Sequence, residues 1–216
     1  MNIVPYVDPD LVFDEARHIY LYKGKRASSV TQVIKAGGLS KDYGDVDPKV
    51  LANAAARGTA VHTAIERYHD GTLNWDDLHE EIVPRVVAYD KFVSDHSYTH
   101  ICSEQKYFSP TWGYAGGMDA VGLLPRWNGV TGPHLVLLDY KTSYEKDPAS
   151  WRIQVQAYKN LWNENNPNHP IDHCIILWLN RFGEYELIDA DDKESWALFV
   201  YAVRILNWKR RNGRLK

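Results

Sequence analysis

The chain has 216 residues, 44% of them hydrophobic, with 25 Lys+Arg against 28 Asp+Glu for a formal charge of −3. That length suits one domain with a real core, and the near balance excludes a protein basic all over while leaving room for a local basic groove that holds nucleic acid. Cys102 and Cys174 are the only cysteines and form no CxxC, which excludes a four-thiolate iron–sulfur cluster and a disulfide framework and fits a reducing cytoplasm.

The opening "MNIVPYVDPD" has no basic region followed by a long apolar run, so no signal peptide is expected. No apolar run nears the roughly 20 residues of a membrane span. The segment "RHIYLYKGKRASSVTQVIKAGG" predicts a strand, a turn at Gly24, a second extended piece and a short helix. Ser28 or Ser29 can cap that helix, and Gly37-Gly38 ends it. "DPKVLANAAARGTAVHTAIERYHDG" predicts a helix or a broken pair, with Gly58 marking a close approach or a break. "NWDDLHEEIVPRVVAYDKFVSDH" predicts another amphipathic helix, interrupted or restarted at Pro84. Then the period shortens. "THICSEQKYFSP", "YAGGMDAVGLLP" and "HLVLLDYKT" read as three successive strands. A helix capped by Asp147 follows, then a hairpin turning near Arg181–Gly183, and a closing helix with a basic end. This order predicts an α/β domain with a mixed sheet.

Two charges stand where charge is expensive. Leu135 to Leu138 form the apolar run of a strand buried on both faces, and Asp139 and Lys141 follow at once. Residues two apart on a strand share a face, so this acid and this base project together. Asp119 lies just after Gly116-Gly117-Met118 on the preceding strand. Carboxylates converging at strand ends beside a lysine suit a hard divalent cation, Mg²⁺ or Mn²⁺. His62 and Glu66 are neighbours on one helix face, as are Gln154 and Tyr158. Taken singly, each of these pairs also has a plain structural explanation: a strand-end ion pair, a helix pair, a polar stripe.

Together they resemble the PD-(D/E)XK nuclease superfamily, in its RecB-like branch and its phage-type exonucleases. There a helix carries G-x-x-x-H, matched by Gly58 to His62. A strand supplies an acid, matched by Glu104, and a glycine-led strand supplies the next, matched by Asp119. The D-x-K strand is Asp139 to Lys141, and the following helix carries Q-x-x-x-Y, matched by Gln154 to Tyr158. The motifs keep the family's order over His18 to Tyr158. The four cysteines of the cluster-bearing members are missing, and so is any Walker A sequence.

The resemblance implies a restriction-endonuclease-like core with a mixed central sheet flanked by helices. It implies a metal-dependent deoxyribonuclease, an exonuclease of phage-type DNA recombination, repair or processing, in the host-cell cytoplasm if phage-encoded. The alternative is a catalytically inactive nucleic-acid-binding module on the same fold. Implied ligands to one or two Mg²⁺ or Mn²⁺ ions are His62, Asp119, Asp139 and the backbone carbonyl of Tyr140. Lys141 would position or activate water. Glu104 would join the catalytic group through water or by orienting Lys141. Gln154 and Tyr158 would brace the site or touch the DNA backbone. The implied partner is DNA, with room for a single-strand annealing or recombination protein and none for a membrane. From closeness in sequence alone, Trp112 and Tyr114 are expected to stack on a terminal base. The chain divides into an N-terminal strand and helix extension over 1–48, a catalytic core over 49–190, and a C-terminal helix with a basic tail over 191–216. That tail holds Lys209, Arg210, Arg211, Arg214 and Lys216.

Overall fold

In the computed structural model, which describes residues 3–214, eight strands form one mixed sheet and five α-helices cover its two faces. The front of the chain makes a meander of β1 (Leu11–Asp14), β2 (Ile19–Tyr22) and β3 (Lys25–Ser29), followed by α1 (Val30–Ala36). Ser29 caps α1 in a full capping box with Gln32, and Gly37 closes it. Next come α2 (Pro48–His69), a short 3₁₀ turn at Trp75–Asp77 and α3 (Val83–His96). The long strands are β4 (Thr99–Ser109), β5 (Tyr114–Trp127) and β6 (Val130–Lys141). Then follow α4 (Pro148–Asn165), β7 (His173–Leu179), β8 (Tyr185–Asp189) and α5 (Lys193–Arg211). Among the described residues no helix is long and apolar enough to cross a membrane.

Three details differ from the sequence reading. Strand β1, only four residues long, escapes it. Gly58 does not break α2, which runs unbroken for 22 residues. Pro84 lies in the first turn of α3, where its missing N–H costs nothing, so it starts the helix and does not interrupt it.

The sheet divides the core in two. Met118, Leu135, Leu137 and Ile176 face a layer built on α1, α4 and α5. Val136, Leu138, Tyr140 and Leu177 face α2 and α3. This alternation along β6 explains its continuous apolar run: both faces are covered. At Gly122 the sheet meets α3's end closely, because a Cβ there would lie 2.3 Å from the buried Tyr98 ring. Gly122→Ala is expected to overpack this contact and lower stability by about 1–3 kcal/mol, read as a lower Tm with unchanged far-UV dichroism. An unchanged Tm would show that the ring moves freely.

The site follows from how β5 shares its partners. One edge of β5 pairs with β4 from Thr99↔Leu123 to Ser109↔Tyr114. On the other edge β6 pairs only from Ala120 to Trp127, and β3 pairs only at Tyr114 and Ala115. Gly116 to Asp119 therefore face a gap in the sheet between β3 and the end of β6. Here β6 leaves β5 but stays on β7 through Lys141↔Trp178.

At the C-terminus the basic end of α5 is partly spent on docking. Lys209 Nζ donates to the Ala36 carbonyl at 2.9 Å, and Arg210 donates to the Ser28 hydroxyl. Lys216 lies outside the described residues.

Candidate active site

The gap in the sheet is lined by charge. Asp119, at the end of the Gly-Gly-Met run, turns one carboxylate oxygen to the amide N–H of Tyr140, which donates to it at 2.7 Å. That bond replaces the ladder bond lost where β5 and β6 part. Glu104 stands across β4 between the paired residues Ser103 and Gln105, opposite Asp119. It has φ +52°, a left-handed backbone that a non-glycine residue rarely adopts within a strand. The two-residue alternation of β5 also slips at this level. Met118 and Val121, three apart, both pack in the α4 layer. The irregularity aims both carboxylates into the gap.

His62 enters from α2. Its inward stripe, Val61, Ala64 and Ile65, is buried against the sheet, so His62 is carried to the gap. Its Nδ1 lies 3.6 Å from an Asp119 oxygen and 3.7 Å from a Glu104 oxygen, and its ring meets the Tyr140 ring edge-on at 5.5 Å. Glu66, one turn on, is exposed and does not pair with it.

One atom each from His62, Glu104 and Asp119 can be chosen so that all three lie within 4.8 Å of one another. One imidazole and two carboxylates form a donor set suited to Mn²⁺ or Mg²⁺. Burial pushes the His62 imidazole pKa down, but Asp119, Glu104 and Asp139 outweigh it, and the value rises to about 9. Burial raises the Asp119 carboxyl to about 6, with the neighbouring acids adding and His62 and Lys141 opposing. Three acids, Glu104, Asp119 and Asp139, crowd this space, where His62 and Lys141 only partly offset their charge, the electrostatic environment a divalent ion satisfies.

Asp139 stands just outside that trio. It is 1% exposed, and Lys141 Nζ lies 2.5 Å from its Oδ2, yet that oxygen makes no aligned hydrogen bond. Lys141 also donates to Gln154 Oε1 at 3.1 Å, and Gln154 Nε2 donates to the Tyr158 hydroxyl at 2.8 Å. The four-residue spacing of Gln154 and Tyr158 on α4 thus serves to hold the lysine. Two cavities meet at the site. One of about 540 Å³ is lined by His62, Glu104, Asp119 and Tyr158, and one of about 350 Å³ by His62, Lys141, Gln154 and Arg57. They share His62 and Thr31, so the site lies along a groove with carboxylates on one side and lysine on the other.

The structure brings together His62, Glu104, Asp119, Asp139, Lys141, Gln154 and Tyr158. Tyr140 reaches the cluster with its amide and its ring. The structure does not bring Trp112 and Tyr114 to the groove. Tyr114 is fully buried, donates its hydroxyl to the Ala157 carbonyl at 2.9 Å and packs on Phe199. Trp112 packs edge-on against Trp196 on the α5 side. Tyr114 opens β5 and Trp112 lies in the turn before it, and both pack into the core layer that holds α4 and α5. Sequence reading passed over Thr31, which lines both cavities; the hint was its place in the first turn of a capped helix.

No protein-family model matches the sequence, and no curated protein matches it. Among solved structures, one similar chain is a protein of Eubacterium rectale named as an exonuclease. It is 14% identical, with TM-score 0.43, over 89% of this chain and 77% of that one. Another is the alkaline exonuclease of Laribacter hongkongensis, 13% identical with TM-score 0.40, over 88% of this chain and 95% of that one. Likenesses this distant do not bear on activity. The fold itself is the expected one: a mixed sheet flanked by helices, with each of the five motifs on the kind of element the PD-(D/E)XK resemblance requires.

Proposed function

We propose that this chain is a metal-dependent deoxyribonuclease that degrades DNA from an end. The observation that carries the reading is the convergence of His62, Glu104 and Asp119 beside the buried Asp139–Lys141 pair, where two cavities meet. His62, Glu104 and Asp119 would hold the ion, with Asp139 completing the set from the lysine side. A bound divalent ion would neutralise charge on the scissile phosphate and lower the pKa of water. Lys141, fixed by Asp139 and Gln154, donates to a phosphate oxygen or orients the attacking water. Asp139 keeps the ammonium near the reacting atoms, and Tyr158 limits the rotation of Gln154. A role in phage-type recombination or repair belongs to the same proposal and rests on the sequence resemblance.

The test is digestion of end-labelled single-stranded, blunt and overhanging DNA, and of a covalently closed circle, with Mg²⁺ or Mn²⁺. Loss of linear substrates with the circle spared is the expected result. Cutting of the circle would make the activity endonucleolytic. DNA binding without cleavage of any substrate would favour the inactive binding module.

Metal binding should be linked to protons. With a pKa near 9, His62 carries a proton at neutral pH that an ion must displace. Affinity for Mn²⁺ should therefore rise about tenfold per pH unit from pH 7 toward 9, and more steeply below pH 6, where Asp119 also takes up a proton. Calorimetric titration in buffers of different ionisation enthalpy reads the released protons directly. An affinity flat between pH 7 and 8 would show that no proton leaves His62 on binding, and an affinity unchanged in His62→Ala would remove it from the ligand set.

A further inference from the structure

Beyond Lys141 the chain runs through Thr142 and Ser143 to Tyr144, whose ring is 60% exposed. Three guanidinium groups from three different elements gather round that ring. The Cζ atom of Arg57, from α2, lies 4.6 Å from the ring centre, that of Arg181, from the β7–β8 turn, 5.5 Å, and that of Arg85, from α3, 5.8 Å. Arg57 and Arg85 are 8% and 2% exposed, and the Nε of each has no hydrogen-bond partner. Among the described residues none of the three pairs with a carboxylate. Arg85 keeps one bond, to the Glu81 carbonyl at 2.6 Å. Burial and then the charge of Arg57 both push the Arg85 pKa down. Buried like charges with unmet donors are costly unless an anion joins them.

The position is as informative as the charge. Ser143 lines both the cavity that holds Lys141 and a third cavity lined by Arg85, Tyr144, Arg181 and the 73% exposed Phe182. The groove therefore continues from the site to the arginines. Guanidinium forks match phosphate oxygens, and exposed aromatic faces take bases.

We propose that Arg57, Arg85 and Arg181 form a second phosphate site. It would grip the substrate strand on the Lys141 side of the scissile bond, with a base against Tyr144 or Phe182. The inference rests on the nuclease reading for the identity of its ligand as DNA. The phosphate is either an internal diester or a terminal monoester of that strand.

The experiment measures binding of short single strands with 5′-phosphate, 3′-phosphate or hydroxyl ends in EDTA, by anisotropy over a range of salt. Arg181 is exposed, so Arg181→Ala leaves the core intact, and Arg57→Lys keeps the charge but loses the fork. Expected are affinities about tenfold weaker for Arg181→Ala and a log–log salt slope shallower by about 0.7, the loss of one single-strand phosphate contact. Equal weakening for all ends assigns an internal diester, and weakening confined to one phosphorylated end assigns a monoester; both support the site. Raised Tm of the parent, but not of Arg181→Ala, in inorganic phosphate would support it without DNA. If both variants keep the parent's affinity, salt slope and phosphate response, the site is overturned. Cleavage by the parent in Mg²⁺ or Mn²⁺ is scored separately. Binding that depends on the arginines in a chain that never cleaves would sink the nuclease reading and leave the phosphate site standing.

Discussion

Asp119→Asn is expected to abolish DNA cleavage, by about a thousandfold or more, while the protein stays as stable as the parent or becomes more so. The loss follows from removing a ligand charge, a role worth several kcal/mol of barrier. The stability follows from linkage. Burial raises the Asp119 carboxyl to about 6 from its ordinary 3.8, so the fold prefers it protonated. Its favourable contribution is complete below pH 3.8 and is lost as pH rises through 6. At pH 7–8 without metal, the ionised form is therefore a burden, which the neutral amide relieves. Asparagine's oxygen can still accept from the Tyr140 N–H. Thermal melts and a gel assay on one preparation decide it. Parental turnover by Asp119→Asn would sink the mechanism, and a collapsed Tm would assign Asp119 to folding.

Lys141→Ala has the second largest expected effect, and it should separate chemistry from binding. Cleavage should fall by about 10²–10⁴, the range of a positioned proton-handling group. Mn²⁺ affinity should hold, because an ammonium is no ligand. Stability should fall too, since Asp139 is 1% exposed and Lys141 is its ion-pair partner. Leaving a buried carboxylate alone costs about 3–5 kcal/mol. The double variant Asp139→Asn/Lys141→Ala should regain much of that loss while remaining inactive. A double variant no more stable than the single one would show that the pair is not the source of the cost. Loss of Mn²⁺ binding in Lys141→Ala would refute the division of labour.

Most of the fold was legible because its signals are local. The apolar run Leu135–Leu138, the Ser29 and Asp147 caps and the turn at Arg181–Gly183 each announce an element without help from the rest of the chain. Strand β1 was not, because none of its four residues is buried, Val12 is exposed, and the strand is held by pairing with β2. In the site, His62, Asp119, Asp139 and Lys141 are legible by spacing. Glu104 is named there too, but its left-handed backbone is not legible, since the strand pairing around it sets that conformation. Trp112 and Tyr114 mislead for a related reason. Closeness in sequence to Asp119 along an extended strand means distance in space, about 3.3 Å per residue. The arginines round Tyr144 come from three separate elements, and no periodicity links them.

On the proposed nuclease reading, the left-handed backbone of Glu104 sets endurance against catalysis at one residue. Glycine holds φ near +52° without the penalty that a side chain with a Cβ incurs, about 1–2 kcal/mol. A population selected only to survive heat would gain by replacing Glu104, and would discard one of the three groups that converge on the gap.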